Sequence, residues 1–229
     1  MSQRRPRIRV ATFTKFLAPH KTIPLTPWRA QHRWQLSATR IAILFFGLAI
    51  FGLGDSLLIQ GNIGNAPWTV FAEGVSNKSG WSIGFSTFVI SIFVLLIWIP
   101  LRERPGFGTL SNIVIIATFI QIGTSIFAQQ ENYFSGIAFS LVGIALVGIG
   151  SALYITCGLG PGPRDGAMTG IHGLTGIRVS RVRLGIESTV LAVGFLLGGT
   201  VGLGTLLFAL LIGESVAISL GVLARLTPQ

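Results

Sequence analysis

Two acidic residues stand inside long apolar runs of this chain, and their positions suggest a site for binding a solute or coupling a proton. Glu214 lies in the middle of the run 203–224, and Asp55 lies in the outer half of the run 39–60. An ionisable side chain inside a hydrocarbon layer is costly unless a partner or a function compensates it. Glu214 is therefore the first candidate for such a site and Asp55 the second. The alternative for each is a structural acid that is protonated or hydrogen-bonded to a neighbouring helix.

Other polar residues of the apolar runs could complete such a site. Thr118 and Asn112 could donate or accept hydrogen bonds to a polar solute. The three histidines are scattered, Cys157 is the only cysteine, and no metal-ligand or nucleophile–base spacing occurs. We therefore expect no metal site, no cofactor, no disulfide within the chain and no enzymatic activity.

Two segments rich in glycine and proline predict a helix end followed at once by a new helix. Gly64 and Pro67 mark the first segment, and Gly160 and Pro163 mark the second. Glycine permits positive φ, and proline suits the first turn of a helix. Each new helix would be short, interfacial or re-entrant, and its first residues are Trp68 and Thr69 in one segment and Arg164 and Asp165 in the other. Its free N–H groups could attract an anionic group, the Arg164–Asp165 pair could act as a gate, or the segment could be a simple corner.

The two segments belong to an internal duplication. When the chain is shifted by 96 residues against itself, eight glycines coincide, although random placement predicts about two coincidences. Pro67 then falls on Pro163, and a G-x-G-T-L element at 106–110 falls on its copy at 202–206. The sequence therefore predicts two copies of one structural unit.

Composition places the duplicated unit in a membrane. The chain is 50% hydrophobic and only 10% charged, and its mean hydropathy is +0.71. Six apolar runs are near the length of about 20 residues needed to cross a bilayer: 39–60, 82–101, 107–128, 135–157, 183–200 and 203–224. The last two runs are separated only by residues 198–202, and length forces their separation. We expect an all-α membrane protein with six transmembrane helices, three in each repeat.

The basic residues predict the orientation of the chain. If both termini are cytoplasmic, 16 of the 17 Lys and Arg residues lie inside and only Lys78 lies outside. Each repeat then has an odd number of spans, so the second repeat is inverted relative to the first. The predicted parts are a basic cytoplasmic tail (1–38), repeat 1 (39–128) and repeat 2 (135–225). We expect the tail to be disordered or to lie on anionic lipid headgroups, to be dispensable for folding, and not to bind nucleic acid.

Small residues predict close packing of the spans. Gly52 and Gly54 in the first span correspond to Gly148 and Gly150 in the fourth, and these helices are expected to form the central contact. In the G-x-G-T-L elements, glycine would permit a tight turn and threonine would cap the following helix. The residues concerned are Gly108, Thr109, Gly204 and Thr205.

These motifs resemble one family of bacterial integral membrane proteins. The G-x-G-x-x-L and G-x-x-P-W patterns at 52–68, the G-P-G-P-R-D-G pattern at 160–166 and the doubled G-x-G-T-L element are similar to the YczE/YyaS/YitT group. The resemblance covers residues 41 to about 224. It implies a multi-pass protein of the bacterial plasma membrane, without an established activity to transfer. An acid is expected where this chain has Thr69, so the resemblance does not imply a symmetric acidic pair with Asp165.

The function expected from these patterns is secondary transport. Two inverted repeats can exchange conformations and so expose a mid-membrane site to each side in turn. A small polar solute is expected as the substrate, and the resemblance hints at an amino acid, an amine or a vitamin-like compound, because regulators with an aminotransferase-like domain lie beside members of the group. The alternatives are a non-transporting scaffold or accessory subunit, or a channel. The sequence does not predict an oligomeric state.

Overall fold

The protein is all-helical across the residues that its computed structural model describes, which are 18–19 and 22–227. Eight helices and no strand occur in this part of the chain. They are α1 (Ala38–Gly61), α2 (Pro67–Ser79), α3 (Ile83–Leu101), α4 (Phe107–Ile126), α5 (Tyr133–Thr156), α6 (Pro163–Thr175), α7 (Val179–Leu196) and α8 (Leu203–Leu226). Helices α2, α3 and α4 begin 96 residues before α6, α7 and α8, respectively. The helices therefore follow the period of the sequence duplication.

Five of the described helices are long and apolar enough to cross a membrane: α1, α3, α4, α5 and α8. Helix α7 occupies the place of the predicted fifth span, 183–200, but it begins four residues earlier and carries Arg181, Arg183 and Glu187 in its first half. These charges keep α7 outside the group of five. The predicted separation of the last two runs is confirmed, because residues 197–202 form a break between α7 and α8.

Outward-facing apolar side chains show that the fold is built for lipid contact. Phe93, Ile99, Leu196 and Leu210 are each more than 60% exposed. Exposed apolar surface on this scale is unfavourable in water and favourable in a hydrocarbon layer. The chain is a multi-pass membrane protein.

The most extensive contact between helices joins α1 and α5. A Cβ atom placed on Gly54 would lie 2.7 Å from the carbonyl oxygen of Gly143, and one on Gly150 would lie 2.5 Å from that of Gly47. Gly47 and Gly54 are the repeat equivalents of Gly143 and Gly150, so the contact is reciprocal. The first and fourth apolar runs therefore pack closely through these glycines.

The other predicted packing glycines join each of these helices to the last helix of its own repeat. A Cβ on Gly52 would lie 2.8 Å from the carbonyl oxygen of Ile116 in α4, and a Cβ on Gly148 would lie 2.7 Å from Cβ of Ser215 in α8. Close backbone approach therefore ties α1 to α4 and α5 to α8.

Each G-x-G-T-L element docks on the helix break of the opposite repeat. The amide of Gly108 donates to the carbonyl of Leu159 at 2.8 Å, and the amide of Gly204 donates to the carbonyl of Ile63 at 2.8 Å. Leu159 is the repeat equivalent of Ile63, so the two bonds are also reciprocal. They hold the starts of α4 and α8 against the segments that precede α6 and α2.

The threonines of these elements cap their helices as the sequence predicts. The hydroxyls of Thr109 and Thr205 accept hydrogen bonds from the amides of Gly106 and Gly202 at 3.1 and 3.3 Å. The Thr109 hydroxyl also donates to the carbonyl of Pro161 at 2.7 Å, across the junction between the repeats.

The described part of the N-terminal segment is ordered against the helices, contrary to expectation. The amide of Ala30 donates to the carbonyl of Cys157 at 2.9 Å, and the amide of Phe107 donates to the carbonyl of Arg33 at 3.1 Å. The Trp28 indole donates to the Thr156 hydroxyl at 3.3 Å. Residues 22–37 therefore pack on the ends of α4 and α5, because both their backbone and their side chains find hydrogen-bond partners there. The rest of the predicted tail, 1–17 with 20–21, lies outside the described residues.

Candidate functional site

A cavity of about 360 Å³ lies between the two repeats. Both repeats line it, and sixteen of its lining residues form eight pairs that are 96 positions apart. The pairs are Asp55–Ser151, Ala66–Gly162, Pro67–Pro163, Trp68–Arg164, Thr87–Arg183, Ser91–Glu187, Asn112–Phe208 and Ile116–Ile212. The volume falls within the range of about 300–1,000 Å³ that is typical of small-molecule sites. We call this space the central cavity.

The starts of α2 and α6 are part of the cavity wall. Gly64 and Gly160 have φ angles of 113° and 116°, which turn the chain after the first helix of each repeat. The two short helices then begin at Pro67 and Pro163, and no side chain caps either start. The chain thus breaks at both segments and brings two uncapped helix N-termini to one space.

Arg164 and its repeat equivalent Trp68 meet at this wall. The guanidinium carbon of Arg164 lies 4.9 Å from the centre of the Trp68 ring, in a cation–π contact. Among the described residues, the Arg164 side chain has no hydrogen bond and no ion pair. Burial lowers the pKa of the Arg164 guanidinium, and the charges of Asp55 and Asp165 oppose that shift. The guanidinium stays charged, so five N–H donors remain available at the cavity.

Asp165 is held in place by a neighbouring helix. The Tyr154 hydroxyl of α5 donates to Oδ2 of Asp165 at 2.9 Å. The Trp98 indole of α3 donates to the carbonyl of Pro163 at 2.9 Å and anchors the same helix start. Arg164 and Asp165 do not form an ion pair in this conformation, so the structure contains no closed charge gate at this point. Thr69, the equivalent of Asp165, is buried outside the cavity wall.

Asp55 and Asn112, two of the predicted site residues, line the central cavity. Asp55 is only 2% exposed, and it has no hydrogen bond or ion pair with another described residue. Asn112 lies against the helix break of repeat 2, where a Cβ on Gly162 would be 3.2 Å from its Nδ2 atom. The structure thus brings an acid, an amide and the uncapped start of α6 together.

Glu214 and Thr118 are not part of this wall, although Glu214 was expected to reach the cavity. Glu214 is exposed in a second, apolar groove between α5 and α8, and the Thr118 hydroxyl donates to the carbonyl of Val114 at 2.8 Å on the outside of α4. Ile212 does line the central cavity, and two further residues turn an α-helix by about 200°. Glu214 must therefore project from the opposite face of α8.

Four residues at the edge of the cavity were not predicted from the sequence as site residues. Arg183 and Glu187 of α7 line the cavity and form an ion pair at 2.8 Å. Their equivalents in α3, Thr87 and Ser91, are buried and bonded to their own helix backbone. The repeat shift of 96 could have placed all four residues around one space.

Sequence reasoning also missed an anchor outside the cavity. The Glu73 carboxylate of α2 accepts hydrogen bonds from the amide and hydroxyl of Thr200, both at 2.7 Å, and from Nδ2 of Asn65 at 2.8 Å. Glu73 therefore ties the loop before α8 to the helix break of repeat 1.

The two repeats differ in how their last helices close around the cavity. Helix α3 packs on α4, where a Cβ on Gly84 would lie 2.7 Å from the carbonyl oxygen of Ala117. Helix α7 makes no comparable contact with α8. Ser180, the equivalent of Gly84, is exposed, and a Cβ on Gly213, the equivalent of Ala117, would meet no atom within 4 Å. The cavity wall is therefore closed between α3 and α4 and open between α7 and α8.

Most of the chain matches a known protein family. Residues 38–220 match the family of unknown function DUF6198. The chain belongs to this family. The matched region contains all eight helices except the last six residues of α8.

Relatives of the chain also lack an assigned function. An uncharacterized protein of Haemophilus influenzae is 47% identical over 206 residues, which cover 90% of this chain and 94% of the relative. The uncharacterized membrane protein YczE of Bacillus subtilis is 35% identical over 79% of this chain and 85% of its own length. The uncharacterized protein YyaS of the same organism is 27% identical over 78% of this chain and 91% of its own length. The predicted resemblance to YczE and YyaS is confirmed. No solved structure matches the chain.

Proposed function

We propose that this protein is a secondary transporter that carries a small polar solute across the bacterial plasma membrane by alternating access of two inverted repeats. The observation that carries this proposal is the unequal closure of the central cavity, which is shut between α3 and α4 and open between α7 and α8. Inverted repeats that alternate between two conformations are expected to differ in this way in any one state.

The proposal treats α7 as a sixth membrane span. Its charged first half contains the Arg183–Glu187 ion pair at 2.8 Å, in which each charge partly neutralises the other. Its second half exposes Phe195 and Leu196 at 61% and 79%, as expected for side chains that face lipid. Six spans place both termini on one side of the membrane, and the basic residues favour the cytoplasmic side. The gap between α7 and α8 then faces the cytoplasm, and the described conformation is open inward.

The exchange predicts a specific second state. In that state Ser180 should pack on Gly213 as Gly84 packs on Ala117 here, and Gly84 should leave Ala117. A Leu at position 84 would be too large for the closed α3–α4 contact, because even a Cβ there would lie 2.7 Å from a backbone oxygen. Gly84→Leu should therefore favour the outward-open state, and the matched variant Ser180→Leu should favour the inward-open state.

The test uses a single reporter cysteine in the cavity of a protein in which the native Cys157 is replaced by alanine. Ser151 lines the cavity and differs from cysteine by one atom, so Ser151→Cys adds little volume. A membrane-impermeant maleimide should label this cysteine from the cytoplasmic face in the Ser180→Leu background and from the outer face in the Gly84→Leu background. Right-side-out and inside-out vesicles provide the two directions of access.

Two results would contradict the proposal. Labelling of Ser151→Cys from the same face in both backgrounds would exclude the exchange and favour a channel or a scaffold. The topology itself is tested by cysteines in the exposed loops. Reagent outside intact cells should reach positions within 61–80 and 129–134 but not within 158–182, and labelling of 165–175 from outside would exclude the inverted arrangement.

A further inference from the structure

Two opposite charges, Arg164 and Asp55, face the central cavity without a hydrogen bond or ion pair to any residue that the structure describes. We propose that the cavity binds a small zwitterion, an amino acid or a closely related amino-carboxylate, with its carboxylate on Arg164 and its ammonium on Asp55. The inference rests on the proposed transport function for its biological meaning, but the binding site itself stands on geometry that can be tested separately.

Arg164 supplies the anionic half of this recognition. Its guanidinium is stacked over Trp68 at 4.9 Å and makes no hydrogen bond or ion pair with any described residue. The contact holds the guanidinium beside the ring, and its N–H fork matches a carboxylate in a bidentate geometry. Arg164 therefore offers a preorganised carboxylate site.

Neighbouring donors strengthen the same site. The Trp68 side chain is 92% buried, since only 8% is exposed, and its indole N–H has no hydrogen-bond partner among the described residues. Helix α6 starts at Pro163 without a side-chain cap, so the amides of Arg164 and Asp165 lie at a positive helix end. The uncapped amides of α6 add to Arg164 and favour a negative group at this wall.

Asp55 supplies the cationic half. It lines the same cavity, is 98% buried, and has no hydrogen bond or ion pair within the described chain. Asp55 and Arg164 interact electrostatically, but no oxygen–nitrogen distance between them is 4 Å or less. A ligand that places a cation beside Asp55 would compensate an acid that no described residue pairs.

The other charged side chains of the cavity wall have polar contacts within the described part of the chain. Arg183 is paired with Glu187, and Asp165 is positioned by a hydrogen bond from the neutral Tyr154 hydroxyl. Arg164 and Asp55 are the charged side chains of this wall to which the described residues offer neither a hydrogen bond nor an ion pair. A solute with only a carboxylate or only an amine would satisfy one of them and leave the other buried and uncompensated, whereas a zwitterion satisfies both.

The repeat symmetry supports a ligand with two different ends. Asp55 corresponds to Ser151, and Arg164 corresponds to Trp68, so each charge occurs in only one repeat. The duplication thus relates the two halves of the cavity wall by position, but their charges differ. A polarised ligand fits this arrangement in one orientation.

Binding to the wild-type protein is the first experiment. The purified full chain in lipid nanodiscs is titrated with alanine, β-alanine and 4-aminobutyrate, which separate the ammonium from the carboxylate by increasing distances. Propionate and propylamine, which carry one charge each, are the controls. The readouts are ligand-dependent thermal stabilisation and direct calorimetric binding. We expect at least one amino acid to bind, and propionate and propylamine to bind roughly tenfold or more weakly.

Variants then assign the two ends of the ligand. Arg164→Gln should weaken binding of the preferred amino acid roughly 10- to 100-fold, because a charged hydrogen-bonded contact is lost. Asp55→Asn should make the amino acid and the matching carboxylate bind equally. Arg181→Gln, an exposed residue of α7 outside the cavity, is the matched control and should bind as the wild type does. A Gln or Asn variant is interpreted only if it elutes as a monodisperse species, and Arg164→Lys, which keeps the charge, provides a second test with partial loss expected.

The outcomes separate this inference from the transport proposal. Equal binding of propionate and alanine to the wild-type protein would refute the role of Asp55, and binding of propylamine alone would refute the role of Arg164. Binding of none of the five probes would overturn the inference. Labelling of Ser151→Cys from opposite faces in the Gly84→Leu and Ser180→Leu backgrounds would still support transport. If an amino acid binds but Ser151→Cys is labelled from the same face in both backgrounds, the binding site is supported and the transport proposal is overturned.

Discussion

The reciprocal contact between α1 and α5 leads to a quantitative prediction for Gly150→Ala. The added Cβ would lie 2.5 Å from the carbonyl oxygen of Gly47 and 2.7 Å from the amide nitrogen of Phe51. Real Cβ atoms essentially never approach closer than 3.0 Å, so the two helices must separate by at least 0.5 Å at this point. All nearby atoms belong to the backbone, so no change of rotamer can relieve the contact.

Overpacking of this kind costs about 1–3 kcal/mol. In a chain of this size, each kcal/mol lowers the melting temperature by about 2–4 °C. Gly150→Ala should therefore melt about 2–12 °C below the wild type. The repeat-equivalent variant Gly54→Ala should behave similarly, because its Cβ would lie 2.7 Å from the carbonyl oxygen of Gly143.

The matched control is Gly185→Ala in α7, where an added Cβ meets no atom within 4 Å. This change should be neutral or should stabilise the helix by up to about 1 kcal/mol, because alanine is the better helix former. The assay is thermal loss of the monodisperse species in detergent, followed by size-exclusion chromatography. If Gly150→Ala melts at or above the temperature of Gly185→Ala, the close α1–α5 packing described here is wrong.

Three further predictions concern other parts of the structure. Burial raises the pKa of the Cys157 thiol to about 12, although the charge of Arg40 acts in the opposite direction. Roughly one thiol in 10⁴ is then ionised at pH 8, so maleimide should modify the protein only after it is denatured in detergent. Rapid labelling of the folded protein at that pH would contradict this prediction. Glu73→Gln should lower the melting temperature more than Lys78→Gln on the same helix, because only Glu73 accepts hydrogen bonds from Thr200 and Asn65, and equal stability of the two variants would exclude an anchoring role. A chain that lacks residues 1–35 should melt below one that lacks 1–17, because it also loses the segment docked on α4 and α5; identical melting curves would support the dispensable tail expected from the sequence.

Several features of the fold follow from the sequence because their causes are local. The glycine and proline pairs at 64–67 and 160–163 fix the helix breaks through backbone geometry, and the structure has α2 and α6 starting at the predicted prolines. The repeat shift of 96 residues is preserved in the starts of three helix pairs. Composition over windows of about 20 residues identified the five apolar spans. Composition was less informative for α7, because the first half of this helix contains charged residues.

The N-terminal segment illustrates a different kind of failure. Its polar, basic composition favours disorder or headgroup binding, yet residues 22–37 dock through backbone hydrogen bonds such as that from Ala30 to Cys157. Every residue except proline offers the same backbone donor and acceptor. Side chains add to this docking, because the Thr26 hydroxyl and the Trp28 indole bond to Thr156 and Ala30 packs in a buried apolar cluster. Composition does not show that these partners lie within reach, because only the folded chain brings them together.

The membership of the central cavity was decided by the tertiary structure. The sequence identified Asp55 and Glu214 as acids inside apolar runs, but only Asp55 lines the cavity, while Glu214 lies on the outer face of α8. In a soluble helix, the polar face would indicate which side meets water. In a membrane helix, both the lipid-facing side and the packed side are apolar, so the pattern along the sequence does not fix the rotation of the helix about its axis. That rotation is set by contacts such as Gly54 on Gly143, which join residues far apart in the chain, and it determines that Arg164 meets Trp68 and faces the same cavity as Asp55.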